Sequence, residues 1–407
     1  MSGLLFADVT QSWSEKGGGV RVYLNRKRRH ILENTADRHL MIIPGASDRV
    51  DDEQDGRAIT VTVKSPHVPG SPNYRLLLRN GAVRVALARF QPDLIECQDA
   101  YNLPWAALAH RRAHPECTLV VSFMTDFPKA YVERIGDRLG GAWLGKTSKR
   151  VAYRYLRNLY CRFDAVVALS EHGGADRLRS IGVSRVDIAP LGVDIDDFAG
   201  IAADPALRSS AGCAPGSPLL IYVGRLDVEK RAETVVEAFG QLEPALGARL
   251  VLLGEGPLRE QFAGVEGVHC PGFISDRALL ARWLASADLY VSGMADETFG
   301  ISVIEAQAAG LPVVGIAEGA MIDRVPPTLG RLGPMGDAEA MAANIVALLD
   351  DPARPVMREA AMAHAATMSW DKAMKRLIDH VYPLAMARRR ASFKTGSVAS
   401  VRVADQA

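Results

Sequence analysis

Apolar residues fall along this chain in short runs, each followed by a longer stretch in which they recur every three or four positions. Leu4 to Ala7, His39 to Ile43, Asp93 to Cys97, Leu119 to Phe123 and Ala165 to Leu169 are the runs of the first half; Pro218 to Val223, Arg249 to Leu253 and Asp288 to Ser292 are those of the second. Such runs predict buried strands, and their alternation with helical periods predicts a parallel, doubly wound α/β sheet. The stretch Ile188 to Phe198, IAPLGVDIDDF, interrupts the pattern with Pro190, Gly192 and a cluster of aspartates, the composition of a linker. It predicts two Rossmann-like lobes, residues 1–195 and 196–369, facing a central cleft. A closing amphipathic helix is expected over 370–387, starting at Ser369 or Asp371 and crossing back to the first lobe, and the polar, basic residues 388–407 are expected to be a mobile tail.

One helical stretch lacks a polar face. Ile301 to Ala309 is small and apolar throughout, stopped by Gly310 before the strand-like LPVVG. A helix apolar all round is buried, so Glu305 within it places a carboxylate where ionisation is costly unless hydrogen-bond donors satisfy it. Sugar hydroxyls are suitable donors. Phe299 and Gly300 precede the helix, and a glycine there lets a phosphate approach the first N–H groups and the positive end of the dipole. Glu297 lies just upstream, so this segment can hold a phosphate by amides and hydroxyls by two carboxylates, as a nucleotide-sugar requires.

The totals narrow the function. With 48 Lys and Arg against 47 Asp and Glu in 407 residues, a general nucleic-acid binder is disfavoured. The five cysteines are scattered without metal-ligand spacing, which suits a reducing cytoplasm. MSGLLFADVT lacks the basic n-region and long apolar run of a signal peptide, and no stretch is long enough to span a bilayer. The protein is expected in the cytoplasm, with peripheral contact on the inner face of the cell membrane as the alternative that its basic stripe leaves open.

Other candidates lie at strand ends, where ligands of open α/β sheets bind. Gly17, Gly18 and Gly19 follow the first strand and allow close approach of an anion; the alternative is a surface turn. SFMTDF places Met124, Thr125 and Asp126 after another strand, with Asp126 either holding a ligand or serving as an N-cap or loop ion pair. Arg225 and Lys230, in GRLDVEK, make sense near a helix start if a diphosphate lies between them; otherwise they pair with Asp227 or Glu229. Gly254, Glu255 and Gly256 form a turn at a further strand end, and Gly272, Phe273 and Ile274 offer backbone groups to a base. Ser170, Glu171 and His172 end another strand. Over Lys146 to Phe163, Lys146, Arg150, Arg154 and Arg157 share one helix face, interleaved with Tyr153 and Tyr155, while Val151, Tyr155 and Leu159 fall on another. That stripe is either merely solvated or, with Arg26 to Arg29, a contact for anionic lipid.

Glu297 and Glu305 with their Phe-Gly and Ala-Gly-Leu-Pro context, the G-R-L-x-x-x-K of Arg225 and Lys230, the glycine run and the P-x-G-V-D linker resemble family 4 of the retaining glycosyltransferases with the two-lobed GT-B fold. The resemblance spans nearly the whole chain. It implies that Arg225, Lys230 and the amides of Phe299 and Gly300 stabilise the leaving diphosphate, that Glu305 holds the ribose and Glu297 the transferred sugar. It also implies that Gly17 to Gly19 face donor phosphates and acceptor, and that Gly254, Glu255, Phe273 and Ile274 border the base. No cofactor or metal is implied; the partners are a nucleoside diphosphate sugar and a sugar or lipid acceptor. Glycolipid-forming mannosyl- and sulfoquinovosyl-transferases carry S-F-H-T-D-F, whose histidine contacts the transferred sugar, whereas this chain has Met124, which cannot donate that bond. Either Asp126 or Thr125 holds the sugar instead, or turnover is reduced and the chain is a nucleotide-sugar-binding protein. A sugar epimerase of the same fold is a further alternative.

Overall fold

The computed structural model describes residues 3–14, 18–69 and 71–404. Its contacts divide the chain into two compact units: Met1–Leu169 with Gly174–Pro190 and Ala373–Ala407, and Ser170–Gly173 with Leu191–Lys372. The division falls inside the predicted linker, at Pro190, and the chain rejoins the first unit at Ala373.

In the first unit the strands are β1 (Leu5–Val9), β2 (Arg38–Gly45), β3 (Arg49–Glu53), β4 (Ala58–Lys64), the small pair β5 (His67–Val68) and β6 (Ser71–Arg75), then β7 (Leu94–Cys97), β8 (Thr118–Phe123), β9 (Ala165–Ala168) and β10 (Val186–Ile188). Among the described residues, eight of them form one sheet in the order β10-β9-β8-β7-β1-β2-β4-β3. All its pairings are parallel except the edge strand β3, which runs antiparallel to β4. The apolar runs became strands because β1, β7, β8 and β9 are buried along their whole length. Strand β3, RVDDE, carries no such run; it is held through its backbone on β4 and is largely exposed.

Three expectations for this unit are corrected. The Arg26 to Arg29 run is not a surface patch, because helical geometry turns Lys27 inward with Tyr23, Leu24 and Ile31. Its ammonium donates to Asp8 at 2.7 Å, Glu96 at 2.8 Å and the Tyr382 hydroxyl at 2.9 Å, all buried. Arg28 likewise donates to Thr60 and to the Ile59 carbonyl, and its burial lowers its pKa to about 10. Tyr153 and Tyr155 also leave the basic face: Tyr153 donates to Asp126, and Tyr155 to the Ala100 and Tyr101 carbonyls. Residues beyond 387 continue a helix, Tyr382–Ala404, instead of starting a loose tail. Arg388 grips Asp187 with two nitrogens, at 2.5 and 3.1 Å, and Arg389 donates to the Pro115 carbonyl at 2.6 Å.

The second unit has β11 (Leu219–Val223), β12 (Arg249–Leu253), β13 (Val268–Gly272), β14 (Leu289–Val291), β15 (Val313–Ile316) and β16 (Gly330–Gly333), all parallel, in the order β13-β12-β11-β14-β15-β16. The chain builds outward from β11 in one direction, then jumps back to lay β14 on its other side. The order therefore reverses between β11 and β14, and a ligand crevice of such a sheet opens at the carboxyl ends of that pair. Among the described residues no helix is long and apolar enough to cross a membrane.

Candidate functional site

The turns that leave β11 and β14 carry the charged candidates. After Val223, the Arg225 carbonyl accepts from the Tyr222 hydroxyl at 2.9 Å, and Asp227 caps the short turn Val228–Lys230 by accepting from the Lys230 backbone N–H at 2.9 Å. After Val291, the loop passes Gly293, where a Cβ would lie 2.3 Å from the Arg231 carbonyl oxygen. Only glycine lets the two turns touch there, and the contact brings Lys230 to Glu297. The ammonium lies 3.7 Å from the carboxylate and 2.8 Å from the Met294 sulfur, with both charged side chains about a quarter exposed, at 23%.

Arg225 lies in the same turn but is held by acids: its nitrogens are 2.5 Å from Asp227 and 2.8 Å from Glu229, and most of its side chain is in solvent. The ion pairing left open by the sequence is present. Gly300, with φ 85°, precedes the helix Ile301–Ala308, and no side chain caps it. The first amides of this helix have no partner within it. Its first turn is fixed against both strands, since the Tyr290 hydroxyl donates to Ser302 at 2.9 Å and to the Val223 carbonyl at 3.3 Å. Phe299 is buried; its carbonyl accepts from Arg324 at 2.9 Å and its ring lies under the same guanidinium. Burial lowers the Arg324 pKa to about 10.

Glu305 is buried as its apolar helix implied, and its donor is a protein side chain that the sequence did not reveal. Arg277, at the start of the helix Arg277–Ser286, donates to Glu305 Oε1 at 2.7 Å, approaches Asp197 at 3.4 Å and stacks on Phe198 with 4.6 Å to the ring centre. Burial raises the Glu305 pKa, and Arg277 only partly opposes this.

The remaining candidates have more local roles. A Cβ on Gly254 would fall 1.8 Å from the Gly224 carbonyl oxygen, so this glycine is needed where the β12 turn meets the β11 turn. Glu255 lies 3.6 Å from Arg259 and accepts weakly from the Phe273 N–H, at 3.4 Å. Phe273 is exposed and Ile274 half-buried. His172 meets Asp323 at 2.7 Å, and the Ser170 hydroxyl donates to the Thr298 carbonyl at 3.1 Å. In the first unit, Tyr153 donates to both Asp126 oxygens, at 2.8 and 2.7 Å, and receives a bond from Arg177 at 3.1 Å. The sequence left Asp126 as a ligand contact or as an N-cap or loop ion pair, and a phenol 27 positions away was not among those partners. Met124 lines a small hollow with Tyr23, Ser122 and Met374. Gly18, with φ 106°, precedes the helix Gly19–Asn34, and among the described residues nothing lies within 4 Å of a Cβ on Gly19; Gly17 lies outside the described residues. Among the described residues no cluster of three or more His, Cys, Asp or Glu side chains is placed to hold a metal ion.

Comparison with known proteins agrees with this geometry. Residues 17–197 match the profile described as Glycosyltransferase Family 4, and residues 217–351 the profile described as Glycosyl transferases group 1. A GDP-mannose-dependent alpha-(1-6)-phosphatidylinositol dimannoside mannosyltransferase of Mycobacterium tuberculosis is 29% identical over 399 residues, spanning 94% of this chain and 97% of that protein. The sulfoquinovosyl transferase of Arabidopsis thaliana is 27% identical over 317 residues, 74% of this chain and 58% of that one. Among solved structures, a sucrose-phosphate synthase from Thermosynechococcus elongatus superposes with a TM-score of 0.71 at 20% identity, covering 94% of this chain and 99% of that one. Anabaena HepE in complex with UDP gives 0.68 at 17% identity, over 94% of this chain and 100% of that one. With glycosyltransferase profiles on both halves, near full-length relatives and two doubly wound sheets, the chain belongs to family 4 of the glycosyltransferases and has the GT-B fold.

Proposed function

We propose that this glycosyltransferase moves a sugar from a nucleoside diphosphate donor to a hydroxyl of a lipid or lipid-linked glycan, retaining the anomeric configuration and without a metal ion. The observation that carries this reading is the meeting of Lys230 and Glu297, 3.7 Å apart, at the point where the strand order of the second sheet reverses. Lys230 supplies positive charge to the leaving diphosphate as the glycosidic bond lengthens, and the amides after Gly300 supply oriented dipoles. Arg225 adds to this when the diphosphate displaces Asp227 and Glu229 from its guanidinium. Glu297 accepts from hydroxyls of the transferred sugar, and Glu305 from the ribose. The lipid acceptor is supported by a relative named for a phosphatidylinositol dimannoside, and the donor class by one named for GDP-mannose and a neighbour bound to UDP.

The test is a panel of nucleotide-sugars screened for thermal stabilisation of the full chain. The best is then incubated with a lipid extract, and the anomeric configuration of the product is read by NMR. A glycolipid product of retained configuration is expected. Binding without product would leave a nucleotide-sugar-binding protein, and conversion of the donor without acceptor would make the protein an epimerase.

A further inference from the structure

Between Pro128 and Tyr160 the first unit carries a helical hairpin that the sequence pattern did not reveal. A turn over Pro128–Glu133 runs into the helix Arg134–Tyr160, which is broken at Gly140 and Gly141, the latter with φ 71° and ψ −177°. The two arms fold onto each other through glycines: a Cβ on Gly136 would lie 2.7 Å from the Gly145 Cα, and one on Gly145 1.9 Å from an Asp137 oxygen. Lys149 clamps the arms by an ion pair with Glu133 at 2.6 Å. Leu139 and Trp143 flank the break at the tip, 78% and 77% exposed. Ile135 and Tyr131 on one arm and Val151 on the other are exposed as well.

Large apolar side chains grouped on one exposed element mark an interaction surface. Its charge selects the partner. From Lys129 to Val151 there are six lysines and arginines against two acids. One of those acids, Glu133, is tied to Lys149, and the other, Asp137, lies against Gly145. Arg138 and Lys146, close to the break, and Arg150, further along the second arm, are exposed. A convex tip with an indole and a leucine, ringed by cations, fits the boundary of a bilayer, where tryptophan rests at headgroup depth and basic groups meet lipid phosphates.

We propose that this hairpin docks the protein on an anionic lipid bilayer, with Leu139 and Trp143 entering the interface and Arg138, Lys146 and Arg150 pairing with headgroup phosphates. The contact shares Lys146 and Arg150 with the basic stripe expected from the sequence, but its apolar part is Leu139 and Trp143 in place of the tyrosines, which turn inward. Docking by this hairpin does not depend on which acceptor the enzyme uses, and binding is measured without turnover.

The full chain is sedimented with vesicles of phosphatidylcholine alone or mixed with phosphatidylglycerol, at low and high salt. Binding to the mixed vesicles is expected to fall with salt. Leu139→Ala with Trp143→Ala should lower the partition coefficient at least about tenfold, and neutralising Arg138, Lys146 or Arg150 about fivefold each, the effect of removing one charge near an anionic surface. Thermal melts matching the parent establish that these exposed substitutions leave the fold intact. Brominated lipid should quench tryptophan emission in the parent and much less in Trp143→Phe. No binding to anionic vesicles, or equal binding by the parent and the tip variants, overturns the proposal. So does a parent that is dimeric in solution and becomes monomeric in the tip variant, since the occupant would then be a second copy.

Discussion

Lys230 and Glu297 form a pair whose worth changes sign when an anion arrives, and a double-mutant cycle on nucleoside diphosphate binding measures that change. At 3.7 Å the gross attraction is about 4 kcal/mol at an effective dielectric near 20. Both side chains are partly solvated, so the net contribution to the free protein is about 1 kcal/mol or less. With a diphosphate bound, the ammonium serves the phosphate through a charge-assisted bond of about 1.5–3 kcal/mol. Lys230→Ala should therefore weaken GDP or UDP, whichever stabilises the parent more, about 10- to 100-fold. Without the lysine, Glu297 faces the anion uncompensated. Glu297→Gln on that background should recover about fivefold, although alone it changes diphosphate affinity little. The coupling is then about 1 kcal/mol, read by titration calorimetry at fixed low ionic strength. Parent-like binding by Lys230→Ala would remove the lysine from the phosphate site. A double variant no better than the single would remove Glu297 from its field.

Three further outcomes follow from the packing. Lys27→Met leaves Asp8 and Glu96 buried without their shared cation and should cost about 3–5 kcal/mol of stability in denaturant titration. Burial would raise the Asp8 pKa, but Lys27 and His39 outweigh it and lower it below 3.8; the stability this gives is present above that value and lost as pH falls through the folded pKa, so the variant should unfold in acid at higher pH than the parent. Glu305 has the opposite sign: its folded pKa is raised by burial from 4.5, so stability is present below that value and lost as pH rises through the folded pKa. Melting temperatures of Glu305→Gln relative to the parent should rise as pH increases above 4.5, and parallel profiles would contradict the shift. Gly254→Ala drives a methyl into the Gly224 carbonyl and should lower the melting temperature by many degrees, whereas Gly19→Ala, with open space around it, should leave it nearly unchanged.

Strands buried on both faces announce themselves as apolar runs, and so β1, β2, β7, β8, β9, β11, β12 and β14 were legible. Strand β3 was not, because RVDDE carries no apolar run of its own and is specified by the antiparallel ladder it makes with β4, the next strand in the chain. The same division holds at the site. Glu305 was readable because its own helix is apolar, but its partner Arg277 lies 28 positions away and no local pattern joins them. Lys27 was misread from composition, yet a signal was present: Tyr23, Leu24, Lys27 and Ile31 share one helix face, and a lysine on an apolar face is directed inward. The Gly140–Gly141 break was visible as letters, but folding the arms together depends on Gly136 meeting Gly145, which a reading of helical periodicity passes over.

The two buried charge systems differ in a way that separates scaffold from site. Around Lys27 the circuit is closed: Asp8 also meets His39 at 2.7 Å, and Glu96 also accepts from Tyr23 at 2.9 Å, Ser122 at 2.6 Å and Tyr382 at 2.5 Å. Burial keeps His39 below its usual pKa despite Asp8, which favours the neutral imidazole beside the Lys27 ammonium. At the second-unit switch point the circuit is loose. The Lys230–Glu297 contact is long and partly wet, Arg225 is mostly in solvent, and Arg277 reaches Glu305 with one guanidinium nitrogen and Asp197 with another. Under the proposed function an incoming diphosphate and ribose would exchange these partly exposed contacts, whereas the Lys27 cluster could admit a ligand only by breaking several fully buried bonds at once. Exposure at the ends of β11 and β14 is therefore what the proposed function draws on, and the packing of Gly293 against Arg231 fixes where these charges stand.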